Sequence, residues 1–216
     1  MEIMKLVCIS DTHCNFVKDL PDGDVLIHAG DWLSRGTMEE FAQFLSYISK
    51  WKQQFKHIIC VAGNHDRIAE SDPTVVKNLL QDNGAIYLQD DLVEIDGITF
   101  YGSPWQPAFC NWAFNLPRGA QLAEKWKRIP EKVDVLITHT PPYTILDSVP
   151  DDGSVGCEDL LAEVVDRVQP QVHIYGHIHY SYGTLDGLYT SFINASLLDE
   201  DYRQVNSPIV VEIKPR

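Results

Sequence analysis

Five short polar clusters each follow an apolar run in this chain: Asp11-Thr12-His13, Gly30-Asp31, Gly63-Asn64-His65-Asp66, Thr138-His139-Thr140 and Gly176-His177-Ile178-His179. Carboxylate, imidazole and amide oxygen are the donor mix that suits divalent first-row ions such as Mn, Fe or Zn. Each cluster alone has an ordinary reading. Asp11 fits an Asp-Thr turn with an N-cap, Asp31 a simple turn, and Asn64-His65-Asp66 an Asx-turn. His139 fits a loop start ahead of Pro141-Pro142, and His177 with His179 a turn with exposed rings. Jointly these readings fail, because five of the eight histidines fall in the clusters. The other three, His28, His57 and His173, lie in or beside apolar runs and read as core or edge residues.

Asp11, His13, Asp31, Asn64, His139, His177 and His179 are too many ligands for one ion. They suit two, with one carboxylate bridging. A pair of cations about 3.5–4 Å apart is a standard device for in-line displacement at phosphorus, since it makes a nucleophile from water and neutralises phosphate oxygens. The spacing of two within Asp11/His13 and within His177/His179 predicts that each pair points the same way from a strand end. His65 is left over beside Asn64, and fits a proton donor to a leaving alkoxide or a stabiliser of developing charge.

The elements that must position these residues alternate. Lys5–Ser10 and Asp24–Ala29 are short apolar runs between turn residues, hence buried strands. From Thr37 to Phe55, Met38, Phe41, Phe44, Leu45, Ile48 and Trp51 recur at helical spacing, opened by Thr37 as N-cap with Glu40 three residues on. His57–Ala62 is a strand and Pro73–Gln81 a helix, with Gly84 at its exit. Ala85–Leu88, Leu92–Ile95 and Ile98–Tyr101 read as a strand and a hairpin turning at Asp96-Gly97. Helix Ala120–Arg128, strand Val133–Thr138, helix Gly156–Val168 and strand Val172–Tyr175 follow. Gly183–Leu185, Tyr189–Ile193 and Pro208–Ile213 return to strand character. Sheets packed together with helices outside fit this order. Ser10, Ala29, Ala62, Thr138 and Tyr175 then end five strands, and in such folds ligands gather at the carboxyl ends.

The bulk numbers narrow the rest. At 216 residues, 44% of them hydrophobic, the chain fits one domain over 1–216 with a sizeable core. A net charge of −14 opposes binding to a long nucleic acid backbone. No apolar stretch reaches the length of a membrane span, and Met1-Glu2-Ile3-Met4-Lys5-Leu6 does not read as a signal peptide. The five cysteines, Cys8, Cys14, Cys60, Cys110 and Cys157, are scattered without a CxxC pair, which fits a reducing, cytoplasmic compartment.

The order DxH, GD, GNHD, H, GHxH resembles the calcineurin-like metallophosphoesterases over nearly the whole chain. Gly102-Ser103-Pro104-Trp105, Asn111-Trp112-Ala113-Phe114-Asn115, Pro117-Arg118-Gly119, Val155-Gly156-Cys157-Glu158 and Ile193-Asn194-Ala195-Ser196 resemble the metallophosphoesterase-domain (fetal brain) group, described as class III cyclic nucleotide phosphodiesterases. The resemblance implies an α/β fold, a four-layer α/β/β/α sandwich. It assigns Asp11, His13, Asp31 and His179 to a first metal and Asp31, Asn64, His139 and His177 to a second, with Asp31 bridging. It makes His65 and Asp31 the catalytic residues, two divalent ions (Mn, Fe or Zn, with Mn serving in vitro) the cofactors, and attack by a metal-bridging hydroxide on a small phosphodiester, such as a cyclic nucleotide, the reaction. Protein phosphatases of this superfamily carry GDxxDRG; here Gly30-Asp31-Trp32-Leu33-Ser34-Arg35-Gly36 has Ser34 where an Asp would orient the histidine. That speaks for a small diester over a phosphoprotein and leaves the partner of His65 open. Some vertebrate members of the group replace the first His of GHxH and are poor enzymes, whereas this chain keeps His177. The alternatives are a phosphomonoesterase or phosphoprotein phosphatase, and a nucleotide-binding regulator with little turnover.

The segment Trp105–Arg118 is the expected specificity element. Trp105 and Trp112, with Phe109 and Phe114, offer faces for a base, and Arg118 a partner for a phosphate, beside Asn64 and His65. The competing reading is a loop stapled to the core by its aromatics. Arg35 and Arg67 are weaker phosphate-binding candidates.

Overall fold

A computed structural model describes residues 3–216; Met1 and Glu2, which open the leader reading above, lie outside the described residues. The first half contains β1 (Met4–Ile9), β2 (Val25–His28), α1 (Met38–Trp51), β3 (His57–Cys60), α2 (Arg67–Ser71), α3 (Pro73–Asp82) and β4 (Ile86–Tyr87). The second contains β5 (Asp91–Ile95), β6 (Ile98–Ser103), β7 (Gln106–Pro107), β8 (Asn115–Leu116), α4 (Ala120–Trp126), β9 (Val135–Thr138), β10 (Ser148–Val149), β11 (Gly153–Ser154), α5 (Glu158–Ala162), β12 (Val172–Tyr175), β13 (Gly183–Asp186), β14 (Ser191–Asn194) and β15 (Ile209–Ile213).

Among the described residues, beside the two-stranded pairs β7-β8 and β10-β11, two large sheets form, with orders β15-β1-β2-β3-β4 and β13-β14-β12-β9-β6-β5. Their interior strands run parallel, and antiparallel strands close three of the four edges: β15 on β1, β13 on β14 and β5 on β6. A parallel interior strand is covered on both faces, so its run is apolar throughout rather than alternating. Leu6 and Cys8 of β1, Val25 and Ile27 of β2, Val135 and Ile137 of β9, and Ile174 of β12 meet between the sheets. Val7 and Ile9 point the other way, with Leu26, against Phe41, Phe44, Ile48 and Trp51 of α1 and Val76 and Leu80 of α3. Leu136 faces Leu122 and Trp126 of α4 and Leu160 of α5. The layers are therefore helix, sheet, sheet, helix, the architecture expected from the sequence.

The predicted cap of α1 is present: the Thr37 side chain accepts the Glu40 N–H at 3.3 Å. Glu40 then reaches outward, and its Oε2 accepts the backbone N–H groups of Ser34, Arg35 and Gly36. One element is additional and one expectation differs. Arg67–Ser71 forms a turn of helix that has too few residues to show a period. The predicted helix Gly156–Val168 is α5 followed by π-helical Glu163–Val168, ending at Gln169 in the left-handed region, φ 46°. Phe44 stacks on the buried Trp32 at 5.1 Å between centroids and 7° between planes. Phe44→Ala is expected to lower unfolding stability by about 3–5 kcal/mol, read from the urea midpoint of metal-stripped protein.

Candidate metal centre

Each predicted ligand lies just past the carboxyl end of a strand. Asp11 and His13 follow β1, Asp31 follows β2, Asn64 follows β3, His139 follows β9, and His177 and His179 follow β12. The backbone there is not strand. Asp11, His13, Asp31 and His177 have φ of 54°, 41°, 55° and 69°, the left-handed region that non-glycine residues seldom enter. These tight turns, not strand alternation, aim the side chains.

Among the described residues, three groups of ligand atoms lie mutually within 4.8 Å: Asp11, His13 and His179; Asp31, His139 and His177; and His13, Asp31 and His65. Asp31 sits between the first two, with Oδ2 3.7 Å from His13 Nε2 and 3.4 Å from His139 Nε2. Asn64 Oδ1 joins the second at 2.9 Å from His139 Nε2. One correction follows. The expectation that His177 and His179 point the same way fails, because the left-handed turn at His177 and the 3₁₀ turn His179–Ser181 send them to different groups.

The donor set fits cations. His13 Nδ1 bonds the Leu33 carbonyl at 3.2 Å, His139 Nδ1 that of Ala29 at 3.0 Å, and His179 Nδ1 that of Asp199 at 3.0 Å. Each carbonyl takes the Nδ1 proton and so turns the Nε2 lone pair inward, the arrangement of a metal-binding imidazole. Among the described residues, the buried Nε2 of His13 has no hydrogen-bond partner. Asn64 Oδ1 and His139 Nε2 lie 2.9 Å apart, close enough for both to serve one cation. Burial lowers His139, but the Asp31 carboxylate outweighs it and raises the ring to about 9. His179 is likewise raised to about 9 by Asp11 against its burial. Burial raises Asp11 and Asp31, yet the neighbouring imidazoles hold both well below the carboxylate range.

Glycines make the space. A Cβ at Gly63 would fall on Asp31 Oδ1, and one at Gly176 on Asp11 Oδ2 and Ser10 Oγ. Asp11 is fixed as well by the His177 N–H at 3.0 Å and the Ser196 hydroxyl at 2.9 Å.

His65 stands at the rim of the group. Its N–H donates to Asp31 Oδ1 at 2.7 Å, and its Nδ1–H to the Ser34 carbonyl at 2.6 Å. The partner left open by the sequence is thus a backbone oxygen, on the loop that Glu40 caps. The Trp112 ring stacks on the imidazole, 4.0 Å between centroids and 27° between planes. Trp105 and Arg118, expected to touch substrate, are committed elsewhere. Trp105 donates its indole N–H to Asp90 at 2.8 Å and carries Lys125 Nζ 3.5 Å from its ring centroid. Arg118 donates to the carbonyls of Gly156 and Val155 at 2.6 and 2.7 Å. These contacts tie their loop to the body of the protein.

Two roles escaped the sequence reading. Asp66, fully buried, accepts N–H groups from Gly63, Asp31 and Leu33 at 2.7, 2.9 and 3.0 Å, tying the loop after β2 to the loop after β3. Its place in the GNHD string was a signal. Tyr202, half exposed, sets its ring edge-on to His13 at 4.8 Å and to His179 at 5.9 Å. It sits in a loop with Asp199, Glu200, Asp201 and Arg203, where no sequence pattern marks it.

This fold with this donor cluster defines a metal-dependent phosphoester hydrolase. The profile of the calcineurin-like phosphoesterase family matches residues 4–181, and the chain belongs to that family. Metallophosphoesterase domain-containing protein 1 of Homo sapiens is 42% identical over 97% of this chain and 71% of its own length. UPF0046 protein T07D4.2 of Caenorhabditis elegans is 40% identical over 97% of this chain and 60% of its own length. A crystal structure of TT1561 of Thermus thermophilus superposes with a TM-score of 0.65 over the whole of both chains at 12% identity, a likeness of fold. No helix among the described residues is long and apolar enough to cross a membrane.

Proposed function

We propose that residues 1–216 act as one domain, a two-metal phosphodiesterase for small diesters, cyclic nucleotides among them. The observation that carries this reading is the placement of Asp31 Oδ2 within 4 Å of imidazoles from both ligand groups. Asp11, His13, Asp31 and His179 would hold one ion, and Asp31, Asn64, His139 and His177 the other; their imidazole-rich donor set suits Mn, Fe or Zn. When bound, such a pair supplies a nucleophile from water at neutral pH and neutralises the phosphoryl oxygens.

The chain's own residues supply the rest. The Ser34 carbonyl fixes the tautomer of His65, so Nε2 is the nitrogen free to hold a proton for the leaving oxygen. The Asn64 backbone carbonyl accepts the Ala113 N–H at 3.1 Å, which fixes the turn that presents both Asn64 and His65. Two carboxylates, Asp199 and Asp201, share one guanidinium, Arg203, on the rim that carries Tyr202, and Glu200 lies between them in the chain. Net negative charge there opposes a dianionic monoester more than a monoanionic diester. The five unpaired cysteines support a reducing compartment such as the cytoplasm.

The test is a panel on Mn-reconstituted protein: 2′,3′- and 3′,5′-cyclic nucleotides, bis-p-nitrophenyl phosphate, p-nitrophenyl phosphate and a phosphopeptide. A diester should exceed both monoesters in kcat/KM by at least about tenfold, a difference of about 1.4 kcal/mol in transition-state binding. A phosphopeptide or p-nitrophenyl phosphate turned over faster than every diester would refute the reading. Tight nucleotide binding in calorimetry, with no product over hours, would favour the regulator.

A further inference from the structure

We infer that Trp112 is a positioning residue for His65, a tryptophan clamp that supplies by stacking the restraint an acidic side chain would give through a hydrogen bond. The inference rests on the reading of His65 as proton donor. It starts from the Asn111–Phe114 segment, which is bolted to the chain around His65 at three points. Ala113 N–H donates to the Asn64 carbonyl at 3.1 Å, Phe114 N–H to Glu70 Oε1 at 2.7 Å, and the Arg67 guanidinium to the Asn111 carbonyl at 2.7 Å. Phe114 is buried and sits edge-on to Trp105, so the segment is anchored below as well. Between these anchors Trp112 has little freedom. Its ring lies nearly parallel to the imidazole of His65 at 4.0 Å. The guanidinium carbon of Arg67 also lies over the indole, 4.7 Å from the ring centroid.

The imidazole is thereby held on three sides. The indole covers a face, the His13 ring meets it in a T at 4.7 Å, and the Ser34 carbonyl takes Nδ1–H. A carboxylate partner fixes an imidazole by one strong hydrogen bond. Here a weaker neutral acceptor, the carbonyl, leaves rotation about Cβ–Cγ less constrained, and stacking supplies the missing restraint. An indole engaged in this way is not an open platform for a nucleobase. This separates the role from the substrate-stacking expected of Trp112 in the sequence, and the two predict different kinetics. A positioning residue acts on kcat, a substrate platform on KM.

The experiment is a double-mutant cycle with Trp112→Leu and His65→Gln on the fastest diester of the panel, with Trp112→Phe as the conservative variant. Trp112→Leu should lower kcat about tenfold to hundredfold, a share of the roughly 10²–10⁴ that a positioned acid contributes, and change KM less than about twofold. Trp112→Phe should restore most of kcat. In the His65→Gln background Trp112→Leu should cost nothing further. Independently of metal and turnover, the His65 Hε1 resonance of the metal-stripped protein should be shifted upfield by the indole ring current and lose that shift in Trp112→Leu. A raised KM with unchanged kcat, additive losses in the cycle, or an unshifted His65 resonance would each overturn the clamp. Wild-type kcat in His65→Gln would overturn the proton-donor reading itself and the positioning role with it, and the single variant shows that before the cycle is closed.

Discussion

Asp31→Asn should cut diester hydrolysis by roughly a thousandfold and reduce the bound metal to one ion per chain or none. The substitution keeps the shape of the side chain, so the loop after β2 can stay in place while the negative charge is lost. That charge is buried and faces His13 and His139, one from each ligand group. Loss of the shared charged ligand at about 4 kcal/mol of transition-state stabilisation is on the order of a thousandfold in rate. The measurement pairs kcat/KM on bis-p-nitrophenyl phosphate with elemental analysis of the protein after gel filtration. An Asn variant that retains two ions and more than about a tenth of the wild-type kcat/KM would show that Asp31 does not join the sites.

Gly176→Ala should open the Asp11 group and leave the other standing. The added methyl would fall on Asp11 Oδ2 and Ser10 Oγ. Asp11 cannot retreat freely, because the His177 N–H and the Ser196 hydroxyl hold it. Overpacking of this kind costs about 1–3 kcal/mol in a well-packed interior, and a displaced ligand support typically lowers metal affinity or activity about 10–100-fold. His139, Asn64 and Asp31 make no hydrogen bond to either atom that the methyl meets, and His177 of the second group holds Asp11 through its backbone N–H, not its ring. The expected readout is one tightly held ion instead of two, with far-UV circular dichroism unchanged and turnover down by about that 10–100-fold. Weakening of both sites alike would mean that the two groups do not behave as separate sites.

The layers were legible because the period of the apolar residues is a local property. The runs of β1, β2, β3, β9 and β12 are apolar on both faces, and only strands enclosed by two layers require that. The polar strings after those runs were legible for the same reason, since their donors stand where the fold gathers ligands. What the sequence hid is set by backbone conformation and by contacts across long separations. Left-handed φ at Asp11, His13, Asp31 and His177 is invisible in residues that seldom adopt it, so the spacing of His177 and His179 suggests alignment where the structure splits them. The partner of His65 is a main-chain oxygen, which carries no residue signature. Tyr202 reaches His13 from near the opposite end of the chain, which no spacing rule connects. In the loop from Trp105 to Arg118 the aromatic faces all look alike in sequence, and burial sorts them: Trp105 and Phe114 pack inward, Trp112 lies on His65, and Arg118 is spent on two carbonyls.

Calorimetric titration of the metal-stripped protein with Mn²⁺, with diester turnover followed at each addition, tests the shared Asp31 centre most directly. The expected result is two ions per chain, with turnover appearing as the second is taken up, as for other paired-cation centres. Full turnover after a single equivalent, or two ions bound with no hydrolysis of any phosphoester, would contradict a two-metal phosphodiesterase built on Asp31.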